Sequence, residues 1–146
     1  MALIQVDTLN DAQTEALWQL YQNEWWTNMR NLLDTLEMLK HTGIIIAFVD
    51  DESGELAAFC RILTDYVYKA VVLDVIVKAE YRKQGLGAGL MDAAVNHPGL
   101  SQVETIDLWC LDEMVPFYER WGFIDQAGKV RLMRKHHKDG TENDIG

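Results

Sequence analysis

A chain of 146 residues, 49% of them hydrophobic, can bury a proper core and is most simply read as one domain. Its formal charge of −10 argues against nucleic acid as a main partner, because gripping phosphates needs a basic face, and it mildly favours a cationic substrate. No apolar run reaches membrane-spanning length, and the N-terminal MALIQVDTLND lacks a basic segment followed by an apolar one. Neither a membrane partner nor a signal peptide is expected, and the cytoplasm is the expected location.

In chain order, Leu3 to Val6 reads as a short strand. Asp7 or Asn10 can cap a helix from about Asp11 to Glu24, with Leu17, Leu20 and Tyr21 on one stripe. After Trp25-Trp26-Thr27-Asn28, a second helix runs to about Lys40 with Leu32, Leu33, Leu36 and Leu39 on its apolar side. Ile44 to Val49 and Glu55 to Leu63 flank the turn DDESG and form a hairpin. Thr64 to Lys69 connects to an apolar run, Val71 to Val77, broken only by Asp74. That density of β-branched residues suits a strand buried on both faces. A charged turn, Lys78 to Gln84, leads into Gly85-Leu86-Gly87-Ala88-Gly89, and Leu86, Leu90, Met91, Ala94 and Val95 then recur at helical spacing. Val103 to Cys110 is a further strand, Glu113 to Trp121 a short helix stopped by Gly122, and Phe123-Ile124 with Lys129 to Met133 a final strand pair. The tail from Lys135, KHHKDGTENDIG, is polar and expected to lack a fold, so the domain is placed at 1–134 and the tail at 135–146.

The glycine turn has a physical use. The first turn of a helix carries N–H groups with no partner inside the helix, and glycines let a phosphate approach them. The spacing fits neither the triphosphate loop, which needs Gly-Lys-Ser/Thr, nor the G-x-G-x-x-G fingerprint. It does fit R-x-x-G-x-G, as Arg82, Gly85 and Gly87. Behind VLDVIVKAEYR, this resembles the acetyl-CoA loop of the GCN5-related N-acetyltransferase (GNAT) superfamily. A second stretch, Pro116-Phe117-Tyr118-Glu119-Arg120-Trp121-Gly122-Phe123, resembles that family's F-Y-E-x-x-G-F signature.

The resemblance implies an α+β fold, the GNAT acyl-CoA N-acyltransferase fold, with a mixed central sheet flanked by helices. Two of its strands splay apart to admit the pantetheine arm of coenzyme A. It also implies an acyltransferase that passes the acetyl group of acetyl-CoA directly to an amine within a ternary complex, without a metal and in a protein that can form a homodimer. By position, Val75 or a close neighbour would offer a backbone N–H to the thioester carbonyl, and Ile76 and Val77 would line the pantetheine. Gln84, Gly85, Leu86, Gly87 and Ala88, with Arg82 and Lys83, would hold the pyrophosphate, and Phe117 would pack at the cofactor. A module that binds acyl-CoA without turnover is the alternative.

Tyr118 matches the family's acid. A phenol with a pKa near about 10 can protonate a departing thiolate without being ionised at neutral pH; the alternative is a ring packed under the cofactor. Asp74, the only charge in its strand, is a candidate base, directly or through a water, or a ligand of the amine. An Asp paired with a buried arginine would explain its burial equally well. Members of the superfamily acting on polyamines or amino sugars often carry Glu-Asp here, and Leu73 replaces the Glu. Asp65 and Tyr66, with Trp25 and Trp26, would form an acidic, aromatic acceptor pocket; the tryptophans are equally well core residues at a helix junction. Asp112 is a second candidate base, or with Glu113 a helix N-terminal acid. Cys60 and Cys110 lack metal-ligand spacing and read as free thiols.

Overall fold

The structure, a computed structural model, describes residues 2–125 and 128–137. Strand β1 (Leu3–Val6) leads to helices α1 (Asp11–Gln22) and α2 (Leu32–Lys40). Strands β2 (Ile44–Asp50), β3 (Leu56–Thr64) and β4 (Lys69–Val77) follow, then α3 (Leu86–Val95), β5 (Thr105–Leu108) and α4 (Val115–Glu119). The five strands lie in the order β1-β2-β3-β4-β5, antiparallel except for the parallel pair β4 and β5. This is the expected α+β type with a mixed sheet.

Local chemistry explains the helix starts. Asn10 caps α1 by accepting from the Gln13 N–H at 2.8 Å, while the Gln13 side chain accepts from the Asn10 N–H at 3.0 Å. Asn31 caps α2 in the same way through the Asp34 N–H at 2.7 Å, which leaves the segment from Asn23 to Arg30 outside either helix. Helix α3 starts at Gly85, whose φ of +79° is the left-handed conformation that glycine adopts without strain.

Each face of the sheet carries its own core. Ile46, Cys60, Ile62, Ala70 and Val72 pack with Leu90 and Met91 of α3. Ala47, Val49, Phe59 and Ile76 pack with Leu17, Leu20 and Tyr21 of α1. Strand residues of like parity should share a face, yet Ala70 and Val72 face α3 while Ile76 faces α1. A bulge in β4 is the cause. Arg61 pairs with Leu73 and Phe59 with Ile76, so Asp74 and Val75 together oppose Cys60. The extra residue inverts the alternation and increases the local twist. Asp74 absorbs the kink at φ +56°, a region that Asp tolerates better than most residues.

The bulge also positions the site. The β4–β5 register runs only from Lys69↔Thr105 to Val72↔Leu108. Beyond it β4 continues to Val77 while β5 stops, and a cleft opens between them.

Two expectations are corrected. Phe123-Ile124 and Lys129 to Met133 form no strand. The sheet ends at β5, and Val130, Leu132 and Met133 are 75%, 62% and 90% exposed. β5 is shorter than Val103 to Cys110, because pairing with β4 is lost at the bulge. Residues 138–146 of the polar tail lie outside the described residues. Among the described residues, no helix is long and apolar enough to cross a membrane.

Candidate active site

Two features meet at the end of β4. The first is the turn into α3. From Lys83 through Ala88, no backbone N–H donates to any described residue. Lys83, at φ +64°, and Gly85, at φ +79°, put two left-handed residues into this stretch, a conformation that can turn successive N–H groups toward an anion. A Cβ on Gly85 would meet nothing within 4 Å, so the space there is open and glycine is required for its backbone angle alone. A Cβ on Gly87 would lie 3.6 Å from the Phe117 ring, which draws α3 and α4 together. Lys83 and Gln84 are exposed at the rim. Arg82 is placed differently from expectation. Its Nε donates to the Val77 carbonyl at 3.1 Å and its Nη2 to Glu24 at 3.2 Å, so the guanidinium is turned toward the end of α1.

The second feature is the cleft, about 200 Å³ in volume. Val72 to Val75 form one side and Leu108 to Leu111 the other, with Met114, Tyr118, Trp25 and Trp26 completing the lining. Trp25 is half-exposed at the cleft, while Trp26 also packs against the α1 core, so both readings of the tryptophans hold in part. Tyr118 is buried, edge-on to Phe117 at 5.0 Å between ring centroids. Its hydroxyl makes no hydrogen bond to a described residue. Burial, with the Cys110 and Cys60 thiols nearby, pushes its pKa up to about 12. The phenol is therefore a donor that keeps its proton. Val75 and Val77 pack toward the α3 side, whereas the Ile76 side chain is buried under α1.

Asp74 borders the cleft through its backbone; its side chain is wholly buried. Three donors converge on Oδ2: the Tyr21 hydroxyl at 2.8 Å, Arg30 Nη1 at 2.8 Å and Arg61 Nε at 2.7 Å. Oδ1 is buried with no hydrogen-bond partner. Burial alone would raise this carboxyl, but the Arg30 and Arg61 guanidiniums outweigh it and hold it below the usual carboxylate range. Burial and the Asp74 charge push the Tyr21 phenol far up, so it stays a neutral donor, and the Arg30 guanidinium lies 4.6 Å over its ring. This geometry is that of the alternative reading, an Asp paired with buried arginines. The carboxylate side chain is shut off from the cleft, and one of its oxygens is saturated by donors.

Asp65 and Tyr66 are not at the cleft. They form the β3–β4 turn, at the opposite end of β4 from the bulge. Asp65 Oδ1 accepts from the N–H groups of Val67, Tyr68 and Lys69, and these bonds hold its pKa below normal. The Tyr66 hydroxyl donates to the Gly43 carbonyl at 3.0 Å. The Asp served turn geometry, which an x-T-D-Y pattern before an apolar run also signals. Asp112 is exposed on the turn before α4 and does not line the cleft. After burial, its charge is the second cause that raises the Cys110 thiol.

Sequence reasoning missed Tyr21, Arg30 and Arg61. Arg61 had a readable signal, being the one charge within the apolar run LAAFCRIL as Asp74 is within VVLDVIV. Two lone opposite charges in neighbouring buried strands are expected to meet.

An open mixed sheet whose parallel strands fork beside an N–H-lined turn is the architecture of acyl-CoA N-acyltransferases. The comparisons agree. The profile of the acetyltransferase (GNAT) family matches residues 7–123, and the chain belongs to that family. It is 29% identical over 117 residues to "Uncharacterized N-acetyltransferase ycf52" of Porphyra purpurea, an alignment spanning 79% of this chain and 67% of the relative. It is 24% identical over 95 residues to "GCN5-related N-acetyltransferase 1, chloroplastic" of Arabidopsis thaliana, spanning 65% of this chain and 48% of that protein. In crystal structures, a protein of Xanthomonas campestris pv. campestris described as belonging to the GNAT family superposes with a TM-score of 0.79. It is 25% identical, over 93% of this chain and 94% of the other. Among the described residues, no group of three or more His, Cys, Asp or Glu could hold a metal.

Proposed function

We propose that this acetyltransferase-family chain moves the acetyl group of acetyl-CoA to a primary amine by direct attack in a ternary complex. The observation that carries the reading is the run of unpartnered N–H groups from Lys83 to Ala88 beside the β4–β5 fork. These exposed and half-buried donors are accessible to a ligand, and a diphosphate supplies several acceptors at once. The pantetheine arm would lie along Val75, Ile76 and Val77, taking backbone hydrogen bonds, with Phe117 at its side. Lys83 would add charge at the rim. Arg82 would contribute by fixing the turn to Glu24 and Val77 rather than by direct contact.

At the reacting centre, the bulge would aim the Val75 N–H at the thioester carbonyl, where oxygen gains negative charge. Tyr118 would protonate the departing sulfur. Asp74 acts as a positioning residue: by tying α1, the Trp25-Trp26 segment and β3 to the bulge, it holds the backbone at a strained angle that it would otherwise leave. The expected cytoplasmic location is likewise a proposal, and one relative named above is chloroplastic.

Release of coenzyme A thiol from acetyl-CoA in the presence of amines tests the activity. Binding of acetyl-CoA with no release across an amine panel would favour the non-catalytic module instead. The cradle has its own test. Gly85→Ala forces an L-residue to φ +79°, a strain of about 1–2 kcal/mol. Coenzyme A should then bind about tenfold more weakly by calorimetry, with a small loss of melting temperature. Unchanged affinity would remove the cradle.

A further inference from the structure

We infer that the cleft takes its acceptor as an uncharged, weakly basic amine carried on an apolar body, and that the enzyme supplies no base to deprotonate it. This rests on the acetyl-transfer reading above. The overall charge of −10 draws cations to the surface, but the charge beneath the cleft has the opposite sign. One carboxylate, Asp74, stands between two guanidiniums, Arg30 and Arg61, and its side chain is wholly buried. An ammonium in the cleft would lose its water, meet no carboxylate lining it and feel a net positive cluster behind the floor. Dehydrating an ammonium without a partner is strongly unfavourable, far more so than dehydrating a neutral amine.

The groups facing Asp74 come from every neighbouring element: Tyr21 from α1, Arg30 from the α1–α2 connection, and Arg61 and Cys60 from β3. Across the cleft stand Cys110 and Tyr118, both held protonated. Asp112 lies behind Cys110 in solvent, where its charge is screened. The walls are Trp25, Trp26, Trp109, Leu111 and Met114, which suit an aromatic or branched body rather than a second ammonium.

The chemistry then balances with no base acting on the ammonium before attack. The nitrogen lone pair forms the C–N bond as the C–S bond breaks. Sulfur takes a proton from the Tyr118 hydroxyl, and the proton shed by nitrogen returns to Tyr118. A neutral amine and a thioester give an amide and a thiol with no net proton. At neutral pH an alkylamine of pKa about 10.4 is depleted a few thousandfold in its free form, while an α-amine of pKa about 7.7–8.0 is depleted only about six- to elevenfold. The favoured acceptors are therefore α-amino amides, aromatic amines and similar compounds.

The test uses the full chain, saturating acetyl-CoA and two amines of matched body, 2-phenylethylamine and phenylalanine amide, whose ammonium is the more acidic. For each, kcat/KM on total amine should climb about tenfold per pH unit and level off at that amine's own pKa. Phenylalanine amide should lead by at least tenfold near neutral pH. A break common to both amines and below their pKa values would reveal an enzyme base and overturn this inference while leaving acetyl transfer intact. So would a preference for spermidine over both near neutral pH. No thiol release with any amine would overturn the acetyl-transfer reading and this one with it.

Discussion

Asp74→Asn should destabilise the protein by about 3–5 kcal/mol, the usual consequence of removing one partner from a buried ion cluster. Asparagine fills the same space and can keep an oxygen where Oδ2 stood, but it leaves Arg30 and Arg61 without a counter-charge. Urea unfolding near pH 7 reads the loss. The pH dependence carries the same signature. The folded pKa of Asp74 lies below its ordinary value of 3.8, so its stabilisation is fully present above about pH 4 and fades as pH falls through the folded value. The variant should therefore show a flatter acid limb than wild type. The fraction still folded should keep the wild-type dependence of kcat/KM on pH, because a clamp does not titrate in turnover. An intact fold with loss of a pH break would restore Asp74 as a base.

Tyr118→Phe should lower kcat by about 10²–10⁴, the range for a lost general acid, with coenzyme A affinity unchanged. The phenol makes no hydrogen bond to a described residue, so its removal should shift stability by about 1 kcal/mol or less. Burial pushes its pKa up to about 12. The associated stability is complete below the unfolded value near 10 and is lost as pH rises through about 12, so the variant should unfold less steeply in that alkaline window. Single-turnover thiol release at equal loading separates the roles: wild-type rates would leave the ring as packing alone.

The turn proposed as the cofactor cradle was legible in the sequence because its chemistry is local. Gly85 at a left-handed angle, the unpaired start of α3 and the apolar strand before them occupy neighbouring positions. Tyr118 was legible for the same reason, within a short run of aromatic residues and a closing glycine. Asp74 was visible as an anomaly, but its role was not. Its partners Tyr21 and Arg30 lie 53 and 44 residues away and Arg61 is brought to it by register, none of which composition encodes. The bulge was hidden because VVLDVIV is apolar toward both faces and so has no alternation to break. The strand expected at Lys129 to Met133 failed for a related reason. Alternation states which side chains could be buried together, not that a neighbouring strand arrives to bury them.

The inverted parity of β4 has a mechanical consequence. Val72, before the bulge, is seated under α3, while Ile76, of the same parity after it, is seated under α1 and Val75 beside it under α3, so the kink itself is gripped by both layers. A repacking of Leu17 or Tyr21, on the hidden side of the sheet, is one peptide unit from the wall where the acyl carbon would rest. Distance from the opening is thus a poor guide to influence on turnover, and variation along the first helix is a lever on reactivity that never touches a substrate.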